Sequence, residues 1–383
     1  MFGEYKDKLD KQIDYYLEAP SPVELYMKVL ARLEADYNRE ECPDLVREAF
    51  SLLWAARRGL TENELLDLLE IPQVIWSPLF VAIQDAQEAL VSRKGGLLNF
   101  FHDYMRQAAE RRYLSDHEVR KAAHLRLADF FEKQEINSRT ADELPYHLEN
   151  ADAFERLKAC ISGILMFRQF MREGKEYELW GYWLRTGMGH EMVAAYQAAL
   201  NTYEKTEPEV DNLASVLNLI AALFWKAGFF DAAIPMLRQA LEISEKVLGA
   251  DHPSTATSLN NLGTMLQDKG DYEGAEPLYR RALEIREKVF GADHPETATS
   301  LNNLALLMKA KGDYEGAEPL FRRALEIREK VFGADHPETA TSLNNLALLL
   351  QAKGDYEGAE PLFRRALEIR EKVFGAFTTV HFL

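Results

Sequence analysis

The sequence predicts an all-α protein with one small β-hairpin, and its C-terminal part predicts an α-solenoid of repeated helix pairs. Glycines recur at intervals of 42 residues, at Gly249, Gly291, Gly333 and Gly375. The copies at residues 292–333 and 334–375 differ at only two positions. A period of this length is typical of stacked supersecondary units, each too small to bury its own apolar face. The repeat therefore favours an extended binding surface over a compact enzyme core.

The first half of the chain carries the signals of a winged-helix domain over residues 41–116, after a helical lead-in at residues 1–40. Helical patterns are expected at residues 44–56, 61–69, 78–90 and 102–114. Thr61 and Glu64 have the spacing of a capping box, which closes the start of a helix with two hydrogen bonds. Residues 91–101 alternate around a glycine pair, which indicates a β-hairpin. Three helices, a β-wing and a closing helix make a winged-helix domain.

The rest of the chain is divided into a helical linker domain at residues 117–206 and four repeats of 42 residues at 207–376. The first helix of the third copy has the i, i+3, i+4, i+7 spacing of a buried face, at Leu301, Leu304, Ala305 and Met308. Gly312 is expected to end this helix and Gly333 the next one, because glycine is the usual exit from a helix. Each repeat is therefore predicted to be a helix, a tight turn and a second helix.

The repeat pattern changes after Ala376, where the atypical tail at residues 377–383 replaces the expected Asp-His-Pro start of another helix. A solenoid normally ends in a polar capping element. Because none is visible, we expect Phe363, Leu367 and Phe374 to be partly exposed. We also expect the uncapped C-terminal repeat to support self-association.

The repeat resembles the tetratricopeptide repeat (TPR) at its key positions. The residues in register are Leu301, Leu304, Ala305, Gly312, Tyr314, Ala317, Phe321, Ala324 and Leu325. The long form, with D-H-P-x-T-A and S-L-N-N-L-A, is similar to the kinesin light chain subtype over residues 250–376, and residues 208–249 are a degenerate copy. The resemblance implies a protein-binding solenoid.

Residues 22–190 resemble the region that follows the nucleotide-binding domain in STAND-type ATPases, especially nephrocystin-like NACHT proteins. The stretches that carry the resemblance are residues 24–34, 58–65, 100–106 and 143–148. In that family a histidine of the winged helix contacts the ADP phosphates, and the resemblance gives this nucleotide-sensing role to His102. The chain has no G-x-x-x-x-G-K-[ST] phosphate loop. We therefore expect a separate NACHT-type ATPase subunit, or a longer protein whose NTPase domain ends in residues 1–40.

Asparagines recur in the first helix of each repeat and are the candidate peptide-binding residues. They are Asn218, Asn260, Asn261, Asn302, Asn303, Asn344 and Asn345, with Leu306 and Leu348 as apolar pockets beside them. Asparagine is a mediocre helix former, so its place in mid-helix needs a reason. A primary amide both donates and accepts hydrogen bonds, so it can pair with an extended peptide backbone, and the TPR resemblance implies this role. Two alternatives stay open: recent duplication copied the residue, or each amide satisfies a neighbouring repeat.

Charge and composition argue against several function classes. A net charge of −17 disfavours binding to nucleic acid, whose phosphates need basic partners. No stretch approaches the ~20 apolar residues of a membrane span, and the N-terminus lacks the apolar core of a signal peptide, so we expect a cytoplasmic protein. His252, His294 and His336 stand at predicted helix starts. With no catalytic constellation or metal-ligand spacing, we expect no enzyme activity, no cofactor and no metal site.

The expected function is a protein–protein interaction scaffold, with a protein or extended peptide as ligand, that forms the sensor and regulatory part of a STAND-like NTPase system. One alternative is a stand-alone TPR adaptor. Another is a winged-helix transcription regulator. The expected recognition helix at residues 75–90 disfavours the regulator, because it contains Asp85 and Glu88 and no Lys or Arg.

Overall fold

The computed structural model describes residues 13–85, 90–93, 96–100, 102–206 and 210–380. The chain divides into two units, Met1–Ala199 and Leu200–Leu383. Among the described residues, no helix is long and apolar enough to cross a membrane. The fold class predicted from the sequence is confirmed: helices dominate both units, and the first unit contains one small sheet.

The first unit begins with five helices and a three-stranded antiparallel sheet of strand order β1-β3-β2. The elements are α1 (Pro22–Tyr37), α2 (Leu45–Ala55), β1 (Leu60–Thr61), α3 (Glu62–Leu69), α4 (Gln73–Asp85), β2 (Leu90–Arg93), β3 (Leu97–Phe100) and α5 (Asp103–Tyr113). The predicted hairpin is confirmed, with Leu90 opposite Phe100 and Arg93 opposite Leu97. Gly59 allows β1 to approach β3, because a Cβ atom there would lie 2.2 Å from the Leu98 carbonyl oxygen.

The predicted capping box opens α3 as expected. Thr61 Oγ1 accepts a hydrogen bond from the Glu64 backbone N–H at 3.1 Å, and Glu64 Oε2 accepts one from the Thr61 N–H at 2.7 Å. The prediction of a helix over residues 78–90 was wrong at both ends. Helix α4 begins at Gln73 and holds Pro78 inside, and Leu90 already belongs to β2. Proline is tolerated there because its missing N–H leaves free only the carbonyl of Val74, an exposed residue.

Six further helices follow the winged helix. They are α6 (His117–Phe131), α7 (Ser138–Asn150), α8 (Phe154–Ser162), α9 (Ile164–Arg172), α10 (Glu176–Arg185) and α11 (Met192–Glu204). Aromatic side chains form much of their core, where Phe167, Trp183 and Tyr196 are fully buried and contact one another edge-on or tilted. The Tyr196 hydroxyl donates to the Ile161 carbonyl at 3.0 Å, which satisfies the polar end of this ring.

A buried polar network joins the loop after α2 to helix α7. The Glu143 carboxylate accepts hydrogen bonds from the backbone N–H groups of Arg57 and Arg58, at 3.1 and 3.0 Å, and lies 3.1 Å from His147 Nε2. His147 Nδ1 lies 3.0 Å from His124 Nδ1. Since the carboxylate takes the Nε2 proton, His124 donates to His147.

Burial sets the protonation states of this network. It lowers the pKa of His124 to about 3, and it lowers the pKa of His147 as well. Burial alone would raise the pKa of Glu143, but the hydrogen bond to His147 and the charge of Arg139 reverse this and lower it. The folded unit therefore holds two neutral imidazoles beside one carboxylate.

The second unit consists of four consecutive helix pairs. They are α12 (Val210–Lys226) with α13 (Phe230–Val247), α14 (Pro253–Asp268) with α15 (Tyr272–Phe290), α16 (Pro295–Ala310) with α17 (Tyr314–Phe332), and α18 (Pro337–Lys353) with α19 (Tyr356–Val380). The predicted helix starts are confirmed, because His252, His294 and His336 are N-caps whose Nδ1 accepts a backbone N–H. Gly312 and Gly333 take positive φ angles of 83° and 95° at the predicted helix exits.

The last helix runs past the predicted boundary at residue 376. Helix α19 continues to Val380 and contains Gly375, whereas Gly291 ends α15 with a φ of 94°. At Gly291 the carbonyl accepts a hydrogen bond from Thr297 Oγ1 of the following helix, and no matching threonine follows Gly375. Without that docked helix, nothing draws the chain out of its helical path.

The expected exposure in this last repeat is met only in part by the residues that the structure describes. Leu367 is exposed and Phe363 is half-buried. Phe374 lies outside the residues whose side chains are described. Self-association of the chain stays a prediction.

Buried arginines hold successive repeats together. Arg286 of α15 is 4% exposed and donates to Ser300 Oγ of α16 at 2.9 Å. Arg328 of α17 makes the same bond to Ser342 of α18, also at 2.9 Å. Each arginine also pairs with a glutamate of the following helix. The second helix of one repeat thus recognises the first helix of the next.

Candidate functional site

The asparagine register of the first helices is the candidate site, and the structure places its residues on α12, α14, α16 and α18. One position, 42 residues apart, holds Asn218, Asn260, Asn302 and Asn344, and the next position holds Leu219, Asn261, Asn303 and Asn345. Each of these helices starts from the N-cap or pattern that fixes its rotation, and the apolar stripe beside the asparagines is buried. The amides therefore lie at the border of the core.

In the later repeats these amides bond to each other across the repeat boundary. Asn303 Nδ2 donates to Asn260 Oδ1 at 3.0 Å, and Asn345 Nδ2 donates to Asn302 Oδ1 at 2.9 Å. Asn302 is only 8% exposed. Four of the seven asparagines thus take part in inter-repeat bonds, which is the role that the second alternative in the sequence analysis assigned to them. We call these two bonds the closed amide pairs.

The same register predicts a bond from Asn261 Nδ2 to Asn218 Oδ1, and this bond is not made. Asn218 Nδ2 instead donates to the Ala214 carbonyl at 2.9 Å, which fixes the orientation of its amide. Asn218 Oδ1 is buried and has no hydrogen-bond partner. Asn261 is exposed. We call Asn218 and Asn261 the open amide pair.

Two cavities lie beside the open amide pair. The larger, of about 640 Å³, lies between α12 and α14 and is lined by Ala214, Ser215, Asn218, Leu219, Ala222, Ser244, Leu248, His252, Ser254, Thr257, Ser258 and Asn261. The smaller, of about 270 Å³, is lined by Asn218, Ala222, Trp225, Leu237, Asn261, Thr264 and Met265. Neither lining contains a lysine, arginine, aspartate or glutamate. This arrangement can bind a neutral polar chain through hydrogen bonds, with apolar contacts at one end.

Trp225 is the residue of this site that the sequence analysis missed. Its indole Nε1 donates to Asp268 Oδ2 at 2.8 Å, and its side chain is 37% exposed. The 42-residue register places Gln267, Lys309 and Gln351 at the same position in the other copies. A tryptophan where the other copies have polar residues was the signal available in the sequence.

The remaining predicted residues are spread over other surroundings. Leu306 is half-buried and packs against the core cluster of the last two repeats, whereas Leu348 is 37% exposed. Asn344 is half-buried on α18. His102 is the N-cap residue of α5 and is half-buried, without a capping bond from its side chain. Its contact with nucleotide stays a prediction.

The fold of the second unit and its register identify a tetratricopeptide-repeat protein. The model of the nephrocystin-3 TPR domain matches residues 126–324, which is more than half of the chain, and a tetratricopeptide repeat model matches residues 307–372. The chain belongs to the nephrocystin-3 TPR domain family. The resemblance seen in the sequence is thereby confirmed. The matched segment includes helices α7 to α11, which the sequence analysis assigned to a separate linker domain.

Related proteins agree with this family. Nephrocystin-3 of Homo sapiens is 30% identical over 259 residues, which are 65% of this chain and 19% of that protein. A TPR repeat-containing protein of Dictyostelium discoideum is 30% identical over 187 residues, or 48% of this chain and 11% of that protein. The chain thus spans about a fifth or less of the length of these relatives.

Solved structures with similar architecture also have TPR-like repeats. BtubC (BKLC) from P. vanneervenii is 23% identical with a TM-score of 0.43, over 68% of this chain and 92% of that one. A Podosopora anserina kinesin light chain protein with nearly identical TPR-like repeats is 24% identical with a TM-score of 0.43, over 53% of this chain and 96% of that one.

Proposed function

We propose that this interaction scaffold binds an extended peptide segment of a partner protein, and that the open amide pair, Asn218 and Asn261, holds the peptide backbone. Tetratricopeptide repeats indicate protein–protein interaction in general, and the proposal adds the place and the chemistry. The observation that carries it is the buried Asn218 Oδ1 without a hydrogen-bond partner.

An unpaired buried carbonyl oxygen is costly, at about 1–3 kcal/mol of lost hydrogen bonding. The Asn218 amide cannot turn to relieve it, because its Nδ2 is held by the Ala214 carbonyl. A backbone N–H of a bound peptide would satisfy this oxygen. The exposed amide of Asn261 can then pair with a backbone carbonyl of the same peptide.

The lining of the two cavities favours a neutral backbone over a charged group as the bound element. Serine and threonine hydroxyls and the two amides supply the polar atoms, and no ionised side chain lies among them. A ligand held by a terminal carboxylate or by phosphate would need basic partners. We therefore infer that the site recognises the middle of a peptide, not its end.

The test is selection from a random nonapeptide library with the full chain, followed by affinity measurement on selected peptides. We expect the double variant Asn218→Ala, Asn261→Ala to lose at least about tenfold in affinity with an unchanged helical circular dichroism signal. The matched control is Asn302→Ala, Asn345→Ala, which removes a closed amide pair and should leave affinity within about twofold. Equal affinity of the open-pair variant and the wild type would contradict the proposal.

We propose further that the bound peptide is read by a STAND-like NTPase system, in which this chain is the sensor. Membership of the nephrocystin-3 TPR domain family and the winged helix before the matched segment support this. The described part of α4 carries no lysine or arginine, which favours this reading over DNA binding. If a NACHT-type ATPase partner retains ADP equally with wild type and with His102→Ala, the nucleotide-sensing role of His102 is contradicted.

A further inference from the structure

Resting on the proposed function, a second question is which peptides the site selects. The smaller cavity, of about 270 Å³, contains both residues of the open amide pair and continues into an apolar wall. That wall consists of Ala222, Trp225, Leu237 and Met265. A peptide backbone held by the amides would therefore have this wall directly beside it.

The polar groups inside the apolar part of the cavity are already engaged within the protein. Trp225 Nε1 donates to Asp268 Oδ2, and Thr264 Oγ1 donates to the Asn260 carbonyl at 3.0 Å. Thr264 Oγ1 also lies 3.0 Å from the Tyr279 hydroxyl. A polar ligand side chain would lose its water here and find no free partner, which costs free energy. An apolar side chain has no such cost.

The cavity is large enough for a bulky side chain. An apolar protein cavity of about 150 Å³ can hold a benzene molecule. At about 270 Å³, this cavity has space for an aromatic ring or a branched aliphatic side chain. Trp225 and Met265 would supply the contacts, since a broad ring face and a polarisable thioether suit apolar ligands.

We propose that Trp225 determines the specificity of this site: it forms the wall of a pocket that accepts one large apolar side chain of the bound peptide, next to the residue held by Asn218 and Asn261. The other copies have glutamine or lysine at the Trp225 position, so this pocket is particular to the α12–α14 boundary. The hydrogen bond to Asp268 holds the indole in place before the ligand arrives.

The experiment scans each position of a selected nonapeptide with apolar, polar and charged residues and measures the affinity of the full chain. For the wild type, we expect one position at which replacing a large apolar residue by serine lowers affinity about tenfold or more. Trp225→Gln, which copies the residue at positions 267 and 351, should reduce that preference to about twofold. Trp225→Phe should preserve it, which separates the role of the ring from any effect on folding.

The outcomes distinguish this inference from the proposed function. If Trp225→Gln keeps the full apolar preference, or if the wild type prefers a charged residue at every position, the pocket assignment is overturned while the backbone role of the amides stands. If the open-pair variant keeps its affinity but Trp225→Gln loses the preference, the pocket stands and the backbone role fails. A wild-type chain that selects no peptide overturns both.

Discussion

At the scale of single residues, equivalent asparagines have different hydrogen-bond partners. Asn260 and Asn302 accept from the next repeat, while Asn218 accepts from no residue and donates to its own helix. The register of the asparagines could be predicted from the period alone. Their pairing could not, because it depends on side-chain rotation and on the separation of neighbouring helices, and neither is encoded in the spacing of residues.

The closed amide pairs should contribute to stability. We expect Asn302→Ala to lower the free energy of unfolding by about 1–3 kcal/mol, because Asn345 Nδ2 loses its acceptor at a buried place. Asn344→Ala, one turn position away in the asparagine register of α18, is the control and should change it by less than about 0.5 kcal/mol. Urea denaturation followed by circular dichroism measures both. Equal losses would show that the bond itself contributes nothing.

At the scale of elements, the sequence predicted most boundaries because each has a local chemical cause. The capping box at Thr61, the histidine N-caps and the positive-φ glycines are all short-range signals, and each was found in its expected place. The failures, at the start of α4 and the end of α19, depend on partners elsewhere: a solvated carbonyl in one, and a docked following helix in the other.

The contact between α14 and α15 gives an element-scale prediction. A Cβ atom at Gly263 would lie 3.0 Å from the Tyr279 ring, whereas the next copy has Ala305 and Phe321 at these positions. The Tyr279 hydroxyl lies 3.0 Å from Thr264 Oγ1 and 3.1 Å from Gln267 Oε1, and these contacts hold its ring in place. We expect Gly263→Ala to gain roughly 1 kcal/mol from helix propensity only when Tyr279→Phe has freed the ring.

A double-mutant cycle measures this coupling. The two single variants and the double variant are compared with the wild type by urea denaturation, and we expect a favourable coupling energy of about 0.5–1 kcal/mol. The third copy is the natural reference, because it already holds the alanine and phenylalanine pair in a buried cluster. Additive effects of the two substitutions would mean that the ring shifts freely in the wild type.

The histidine caps give a second prediction at this scale. His294 Nδ1 accepts from the Glu296 N–H at 3.2 Å, and its ring stacks on Phe290 with centroids 4.5 Å apart. We expect His294→Ala to cost about 1–2 kcal/mol of stability through both losses. His294→Asn keeps a capping acceptor and should recover at least half of it. If both variants are equally unstable, the stacked ring and not the cap is the stabilising element.

At the scale of the whole molecule, acid should act on the two units differently. His124 and His147 are buried and neutral in the first unit, with pKa values lowered from an ordinary value near 6.5, His124 to about 3. The unfolded chain takes up these protons below pH 6.5 and the folded unit does not, so stability is full above pH 6.5 and falls as the pH drops toward 3. In the second unit, the described histidines are only half-buried.

We therefore expect the first unit to lose roughly 1 kcal/mol of stability per pH unit for each buried histidine between pH 6.5 and 5. The lowered pKa of Glu143 acts only below the ordinary value of 4.5, outside this window. Pulse proteolysis in urea at pH 7.5 and 5.5, with mass spectrometry of the fragments, reports each unit by itself. His124→Gln should reduce the pH dependence by about half. An equal loss in both units would contradict the assignment to these histidines.

The arginine joint between repeats has a consequence for how this gene can change. Two adjacent coding blocks of 42 codons that are almost the same invite unequal recombination, which adds or removes one whole block. Each block encodes both halves of the joint, the serine that receives and the arginine that donates, as in Ser300 with Arg286 and Ser342 with Arg328. An inserted block therefore docks without further mutation. Array length can thus vary between generations while the Trp225 pocket keeps its sequence, so reach and selectivity can evolve independently.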